Sequence, residues 1–147
     1  MKTDDGAEPL LLDTHVWVWA VNNVPKRVHP RVLKEIERAA RDERLLASAV
    51  SAWELALLVH KRRLVLARPL GDWLAAAQQP PGARVLPLTM DVAVASVDLP
   101  GLDDHADPAD RFLIATARSR GARLVTCDER LLRYGATGNV LALDARA

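Results

Sequence analysis

Short apolar runs, each too brief for a helix, alternate along the chain with longer segments of helical pattern. The runs cover residues 10–12, 45–47, 124–125 and 140–143. A short run that is apolar throughout is typical of a strand covered on both faces. Alternation of strands and helices within one chain predicts an α/β fold with a mostly parallel sheet and helices on its faces.

The helical segments between these runs have recognisable ends. The pattern predicts helices over residues 30–43, 49–61, 70–79, 90–98 and 108–120. Pro30 and Pro108 suit the first turn of a helix, where no backbone N–H is needed, and Gly121 is a good C-terminal cap. Pro80, Pro81 and Gly82 together end the third of these helices.

The length of the chain suits one domain. A chain of 147 residues with 50% hydrophobic content closes one core well, whereas two cores would each lack buried surface. We expect residues 1–8 to form a loose tail and residues 9–147 to form a single domain. The N-terminal sequence is acidic, no apolar run is long enough for a membrane span, and Cys127 has no second cysteine to pair with. These features predict a cytoplasmic protein without membrane contact.

Positive and negative charges are balanced over the chain. The 20 Lys and Arg residues against 19 Asp and Glu residues give a net charge of +1. A protein that coats nucleic acid carries a broad basic surface, so this balance excludes that mode of binding. Contact with phosphate must be local, through clusters such as Lys61-Arg62-Arg63, although a solvated helix face is the simpler explanation for any one cluster.

Two aspartates follow predicted strands. Asp13 comes directly after Leu12, and Asp128 follows Val125 by way of two intervening residues. The carboxyl ends of parallel strands form the edge at which open α/β sheets bind ligands. An aspartate at this point is also a good N-cap for the next helix, so each residue alone has two explanations.

Glu54 lies in an otherwise apolar helix. From residue 49 to residue 59 only Ser51 and Glu54 are polar, which predicts a helix buried on nearly all sides. A buried carboxyl group must be paired, protonated or bound to a metal ion, because its desolvation is costly. The alternative is a capping box of Ser51 and Glu54, in which the glutamate bonds a backbone N–H; Ser48 is an equally good N-cap.

Two further aspartates begin the helix at Pro108. Asp107 has the position of an N-cap, and Asp110 lies on the apolar stripe of the helix. Compensation of the helix dipole also explains Asp110. Four acids that end strands or interrupt apolar helix faces would repel one another without a cation. Oxygen ligands without supporting His or Cys suit Mg²⁺ or Mn²⁺ rather than zinc, and the histidines have no zinc-type spacing: His15, His29, His60 and His105.

Four segments of the chain, in order, carry a family pattern. They are Leu11-Leu12-Asp13-Thr14-His15, Ser48-Ala49-Val50-Ser51-Ala52-Trp53-Glu54-Leu55, Asp107-Pro108-Ala109-Asp110-Arg111-Phe112-Leu113-Ile114-Ala115-Thr116-Ala117 and Leu124-Val125-Thr126-Cys127-Asp128. The pattern resembles the PIN-domain proteins of the VapC toxin group. The resemblance implies a three-layer α/β/α fold, endoribonuclease activity that depends on Mg²⁺ or Mn²⁺, a homodimer, and inhibition by a cognate antitoxin of the VapB type.

The resemblance also implies four catalytic residues that are metal ligands: Asp13, Glu54, Asp110 and Asp128. Thr126 matches a hydroxyl position beside the last acid, and Asp107 looks like an additional acid. Arg111 is a candidate to shield the acids or to contact phosphate, although an exposed helix arginine is the simpler explanation.

The implied reaction is hydrolysis of an RNA phosphodiester bond at a cation that acidifies water and neutralises charge on the phosphate. A housekeeping RNA-processing PIN nuclease is an alternative with the same chemistry. A non-catalytic receiver-like module that binds Mg²⁺ is an alternative of another class, but the paired acids and the late lysine of a receiver are not evident. Trp17 and Trp19 are candidates for an apolar antitoxin surface, although core packing explains at least one of them.

Overall fold

A parallel sheet of five strands forms the centre of the computed structural model, which describes residues 8–102 and 107–146. The strands are β1 Leu10–Leu12, β2 Leu45–Ser48, β3 Arg84–Leu86, β4 Arg123–Thr126 and β5 Leu141–Asp144. Their order in the sheet is β3-β2-β1-β4-β5. All four pairings between neighbouring strands are parallel. The expected parallel sheet is therefore confirmed.

Helices connect the strands and cover the sheet. Within the described residues they are α1 Thr14–Asn22, α2 Pro30–Arg41, α3 Ala49–His60, α4 Leu70–Gln78, α5 Met90–Ala95, α6 Pro108–Arg120 and α7 Glu129–Ala136. Pro30 and Pro108 each occupy the first turn of a helix, and Gly121 ends α6 with a φ of 61°. These three boundaries agree with the sequence prediction.

Two buried clusters lie on opposite faces of the sheet, because successive strand residues point in opposite directions. Leu10 and Leu12 of β1 belong to one cluster, which includes side chains of α1, α2 and α4: Trp17, Ile36 and Trp73. Leu11 belongs to the other cluster, which includes side chains of α5, α6 and α7: Val92, Ile114 and Leu131. The fold has three layers, α/β/α, as the resemblance implies.

The strand order creates a topological switch point between β1 and β4. From β1 the chain builds outward through β2 and β3 on one side, and it places β4 and β5 on the other side. Open α/β sheets bind ligands beyond the carboxyl ends of the strands at such a point. Asp13 follows β1 and Asp128 follows β4 by two residues, so both acids lie at this edge.

Some element boundaries differ from the prediction. The helices expected over residues 30–43 and 90–98 end earlier, at Arg41 and Ala95. Strand β3 is absent from the prediction, because its three residues are not an apolar run: Arg84 is exposed and only Leu86 is fully buried. Pairing with β2 therefore defines β3 more than its own pattern does.

Trp17 is a core residue, in agreement with the expectation that core packing explains at least one of Trp17 and Trp19. Its side chain is 1% exposed and packs edge-on against Trp73, with ring centroids 5.4 Å apart. The indole Nε1 of Trp73 donates to Asn22 Oδ1 at 2.9 Å. Trp19 is partly buried, and the Arg27 guanidinium lies 5.4 Å from its ring centroid.

Of the predicted tail, only Glu8 falls among the described residues. Its carbonyl accepts a hydrogen bond from Arg44 at 2.9 Å, and its carboxylate lies 3.6 Å from the Arg123 Nε. Glu8 is thus attached to the domain. No helix in the described part of the chain has the length and apolar character that a membrane span requires.

Two glycines in helices provide a matched test of packing. A Cβ atom at Gly135 of α7 would lie 2.6 Å from the Cβ atom of Ala142, whereas a Cβ atom at Gly71 of α4 would meet nothing within 4 Å. We expect Gly135→Ala to lower the free energy of unfolding by about 1–3 kcal/mol through overpacking. Gly71→Ala should raise it by about 0.4–1 kcal/mol, since the unfolded chain loses freedom. Urea denaturation of both variants checks this, and shifts of the same sign would contradict it.

Candidate active site

Asp13 is held by hydrogen bonds at the switch point. Its Oδ1 accepts from the backbone N–H of Thr14 at 2.6 Å, and its Oδ2 accepts from the hydroxyl of Thr126 at 2.7 Å. Thr126 Oγ1 in turn accepts from the backbone N–H of Asp128 at 3.0 Å. A chain of hydrogen bonds thus joins the carboxyl ends of β1 and β4.

Glu54 contacts α1 rather than the start of its own helix. The Thr14 hydroxyl donates to Glu54 Oε1 at 2.5 Å, and the hydroxyl oxygens of Thr14 and Ser51 are 2.8 Å apart. The N-cap of α3 is Ser48, whose hydroxyl accepts from the N–H of Val50 at 3.0 Å. The capping box of Ser51 and Glu54 therefore does not form.

Helix α3 is less buried than its sequence predicts. The buried residues of this helix are Val50, Ser51 and Leu55, and Glu54 is partly buried. Trp53, one of the apolar residues on which that prediction rests, is 58% exposed. The prediction of a helix buried on nearly all sides is wrong. Apolar residues of α3 also lie on its exposed side, next to the acids.

Asp107 and Asp128 both act as N-caps. Asp107 Oδ1 accepts from the N–H groups of Ala109 and Asp110 at 2.9 and 3.3 Å. One carboxylate oxygen of Asp128 caps α7 in the same way. Asp110 lies in the first turn of α6 and is partly buried. The N-cap explanations for Asp107 and Asp128 are correct, and the role of Asp128 as a ligand stays a prediction.

The acids influence one another electrostatically. Burial is the main cause that raises the pKa of Asp13; the bonds from Thr126 and Thr14 oppose it, and the Asp128 charge adds to it. Burial also raises the pKa of Glu54, against the bond from Thr14. The charges that raise the pKa of Glu54 further belong to three acids: Asp13, Asp107 and Asp110. The structure thus brings the four predicted acids, together with Asp107, into one electrostatic neighbourhood.

The Arg111 side chain forms hydrogen bonds with backbone carbonyl groups of the segment that follows α5. Its guanidinium donates to the carbonyl groups of Ser96, Val97 and Leu102 at 2.8, 3.0 and 2.6 Å. Arg111 is partly buried, so the explanation as an exposed helix arginine is wrong. These bonds fasten the residues that follow α5 to helix α6.

The donor chemistry of the site suits a hard cation. Carboxylates and the hydroxyls of Thr14, Ser51 and Thr126 supply oxygen alone, which is the donor type that Mg²⁺ and Mn²⁺ prefer. A nearby cation would also relieve the ionisation penalty of Asp13 and Glu54. Over residues 8–102 and 107–146, no three His, Cys, Asp or Glu side chains stand close enough to hold an ion as they are placed.

The histidines have separate environments. His15 is exposed beside Asp13, where its charge lowers the pKa of the acid, and its ring centroid lies 5.8 Å from that of Trp19. His29 caps α2 by accepting from the N–H of Arg31 at 3.1 Å. His60 is exposed at the end of α3, and His105 lies outside the described residues.

Thr14 and Ser51 contact the site, although the sequence analysis did not assign either residue to it. Both are buried; Thr14 bonds Asp13 through its backbone N–H and Glu54, 40 residues away, through its hydroxyl, which also lies beside the Ser51 hydroxyl. The only signal in the sequence is their position: Thr14 directly follows the acid of β1, and Ser51 lies three residues before Glu54. A contact over such a separation depends on tertiary structure.

The domain is a parallel α/β/α structure with acids at the switch point and on helices α3 and α6. Comparison with known protein families identifies the class of protein that has this architecture. The PIN domain family matches residues 10–136, so the chain belongs to the PIN-domain family. Ribonuclease VapC22 of Mycobacterium tuberculosis is 39% identical over 122 residues, which cover 83% of this chain and 88% of that protein.

Solved structures share the fold. The complex of VapBC2 from Rickettsia felis bound to a DNA fragment from their promoter contains a chain with a TM-score of 0.68 and 17% identity, covering 91% of this chain and 96% of that chain. FitAcB from Neisseria gonorrhoeae has a TM-score of 0.61 and 23% identity, and the match covers 92% of this chain and 97% of that chain. At these identities the likeness establishes the architecture.

The raised pKa of Glu54 predicts a pH-dependent stability difference. The folded protein holds this proton more tightly than the unfolded chain, so wild type loses stability as the pH rises from the ordinary value of 4.5 through the raised pKa. Glu54→Gln keeps an acceptor for Thr14 and cannot ionise. In EDTA, we expect the variant to match wild type at about pH 3.5 and to exceed it at about pH 7.5. Urea denaturation at both pH values measures the difference; a constant difference would count against a burial-raised pKa.

The capping role of Asp107 predicts a pair of substitutions with different costs. Asp107→Ala leaves the N–H groups of Ala109 and Asp110 without their acceptor and should lower the free energy of unfolding by about 0.5–2 kcal/mol. Asp107→Ser should recover most of that loss, since a hydroxyl also caps. Chemical denaturation without metal checks both variants. Equal losses for alanine and serine would show that the cap is not what Asp107 contributes.

Proposed function

We propose that this chain is an endoribonuclease that depends on Mg²⁺ or Mn²⁺ and acts as a toxin neutralised by a cognate antitoxin. The observation that carries the proposal is the set of hydrogen bonds that links Thr126, Asp13, Thr14 and Glu54 at the carboxyl edge of the sheet in a PIN domain. The charges of Asp128 and Asp110 act on Asp13 and Glu54 respectively. The similarity to Ribonuclease VapC22 over 83% of the chain supports hydrolysis of RNA. We propose that residues 9–147 perform this function as one domain.

The four acids would hold the cation, with Asp13 at the centre of the site. When bound, the cation supplies positive charge that acidifies a water molecule and offsets charge that develops on the phosphate. Thr126 fixes the Asp13 carboxylate at 2.7 Å, which keeps one of its oxygens directed toward β4. Asp128 would contribute its second carboxylate oxygen, because the first accepts the N–H groups at the start of α7.

Glu54 is the residue we assign to the attacking water. Thr14 holds one of its carboxylate oxygens at 2.5 Å, which leaves the other to accept a proton or to bind the cation. Its pKa is raised by burial, and a raised pKa brings a carboxylate closer to the range in which a general base works at neutral pH. The same position suits a ligand of the cation.

The partner assignment rests on the structural relatives. They include VapBC and FitAB complexes bound to DNA. We propose an antitoxin of the VapB type as the partner of this chain, and a homodimer as its own assembly. A short reading frame directly upstream, whose product copurifies with the chain and stops RNA cleavage, would support the toxin role over a housekeeping RNA-processing role. A receiver-like module has no support in the family comparison.

The central test is RNA cleavage by the purified protein. We expect cleavage with Mg²⁺ or Mn²⁺ and none in EDTA, and Asp13→Asn should lower the rate by more than about 100-fold, the upper range for losing a supporting group of a metal site. Asp72→Asn is a matched control, since Asp72 is an exposed aspartate in the first turn of α4. End-mapping of the products on cellular RNA would identify the target.

Two outcomes would contradict this proposal. Full activity of Asp13→Asn would remove Asp13 from the site, and undiminished cleavage in EDTA would remove the cation. Circular dichroism shows whether each variant keeps its fold. Thermal unfolding adds an independent measurement: at about 100 times the dissociation constant, a cation should stabilise wild type by roughly 2.7 kcal/mol and Asp13→Asn by far less.

A further inference from the structure

A cleft beside Glu54 combines an aromatic ring, two cations and the edge of the acidic site. Its volume is about 280 Å³, and its walls come from α1, α3, the residues after α3 and the start of α6. We call it the Trp53 cleft, and the lining residues that matter are Trp53, Glu54, Leu57, Lys61, Arg63 and Asp107. Because Glu54 and Asp107 belong to its wall, the cleft opens directly onto the acids.

Trp53 is the conspicuous member of this cleft. Its indole is 58% exposed, although it stands next to Glu54 in sequence, on a helix whose neighbouring residues Val50 and Leu55 are buried. An exposed indole offers a flat apolar face together with an N–H donor. The backbone of the site holds that face in position, because Trp53 lies inside a regular helix.

Two cations lie at the far end of the same cleft. Lys61 caps the carboxyl end of α3 and Arg63 follows it, and both side chains are exposed. Within residues 8–102 and 107–146, neither side chain forms an ion pair. Lys61 lies eight residues after Trp53 on the helix, which is about 12 Å along its axis at 1.5 Å per residue.

We infer that the Trp53 cleft holds one unpaired nucleotide of a single-stranded RNA substrate, with its base on the Trp53 ring and the adjacent phosphate at Lys61 and Arg63. This inference rests on the proposed function, since it names how that substrate is held. The cleft has room for one base and none for a duplex. A base can stack on a protein ring only when it is unpaired, and every base has a face that can do so.

The arrangement of charge favours RNA over an apolar peptide as the occupant. A peptide helix laid over Trp53 and Leu57 would meet Lys61 and Arg63 at one end and the acids at the other. A nucleotide matches this order, because its phosphate meets the two cations while its base covers the apolar part. Phosphates next along the strand would then lie toward Glu54, where the proposed cation compensates their charge.

The test measures binding and cleavage of a labelled single-stranded RNA pool of random sequence, about ten nucleotides long, which is within the usual site sizes of such proteins. Fluorescence anisotropy with Ca²⁺ gives affinity, gel electrophoresis verifies that the RNA is intact, and Mg²⁺ gives kcat and KM. The variants are Trp53→Ala, Trp53→Phe and the double change Lys61→Ala with Arg63→Ala. Met90→Ala, an exposed apolar residue of α5, and Lys34→Ala, an exposed lysine of α2, are controls outside the cleft.

We expect Trp53→Ala to weaken RNA binding by about 5- to 150-fold, the range for loss of one base stack, and to raise KM more than it lowers kcat. Trp53→Phe should recover most of the affinity, since it keeps an aromatic face. The double change should make the slope of log affinity against log salt shallower by about 0.7, because the contact with one phosphate is lost. The controls should match wild type.

The outcomes separate this inference from the proposed function. If wild type binds and cuts RNA while the cleft variants behave like wild type, the inference is overturned and the nuclease stands. If RNA binds through Trp53 but is not cut with Mg²⁺ or Mn²⁺, the cleft stands and the nuclease falls. If RNA neither binds nor is cut, both fall. If Trp53→Ala leaves RNA affinity unchanged and abolishes binding of an antitoxin polypeptide, the cleft is a protein surface and the inference is wrong.

Discussion

The hydrogen bond from Thr126 to Asp13 joins two residues that are 113 positions apart in sequence. It exists because β1 and β4 pair in parallel, so that their carboxyl ends finish at the same edge of the sheet. The first acid of the site is thereby fixed to the strand that precedes the last acid. Thr14 extends the connection to α3 through Glu54. The site is consequently a product of the sheet register, and a shift of either strand would separate its members.

The N-termini of four helices are the second constraint on the arrangement of the acids. Asp13, Asp107 and Asp128 are the N-caps of α1, α6 and α7, and Ser48 caps α3. The positive ends of these helix dipoles therefore point toward the cluster of acids, which offsets part of the repulsion among like charges. Under the proposed function the same carboxylates serve folding and chemistry. Replacement of a capping acid by alanine thus removes two functions at once, whereas asparagine retains the cap and removes only the charge.

The sequence predicts the centre of the fold well and its margins less well. Leu10, Leu11 and Leu12 are apolar and buried, so pattern and structure agree in β1. Strand β3 has no such pattern, and only its pairing with β2 reveals it. Helix boundaries that are marked by proline or glycine are also predicted correctly. Pro108 begins α6 and Gly121 ends it, because proline and glycine act through their own backbone geometry.

The acids could be proposed from sequence because each stands at a position with a topological meaning, after a strand or on an apolar helix face. Their partners could not, since the contact between Thr14 and Glu54 arises only when α1 packs beside α3. The pattern also misplaces Trp53. Periodicity identifies a side chain as apolar, but it does not distinguish a residue that fills a core from one that lines a cleft.

The exposure of Trp53 gives the protein a spectroscopic reporter. Trp17 and Trp73 are buried and Trp19 is partly buried, so Trp53 alone among the four tryptophans is exposed. Indoles in water emit at longer wavelength than indoles in an apolar core, and a soluble quencher reaches them first. The red edge of the emission spectrum therefore belongs mainly to one ring, whose neighbour in sequence is Glu54. Binding of a ligand in the Trp53 cleft can therefore be followed by the fluorescence of the unlabelled wild-type chain.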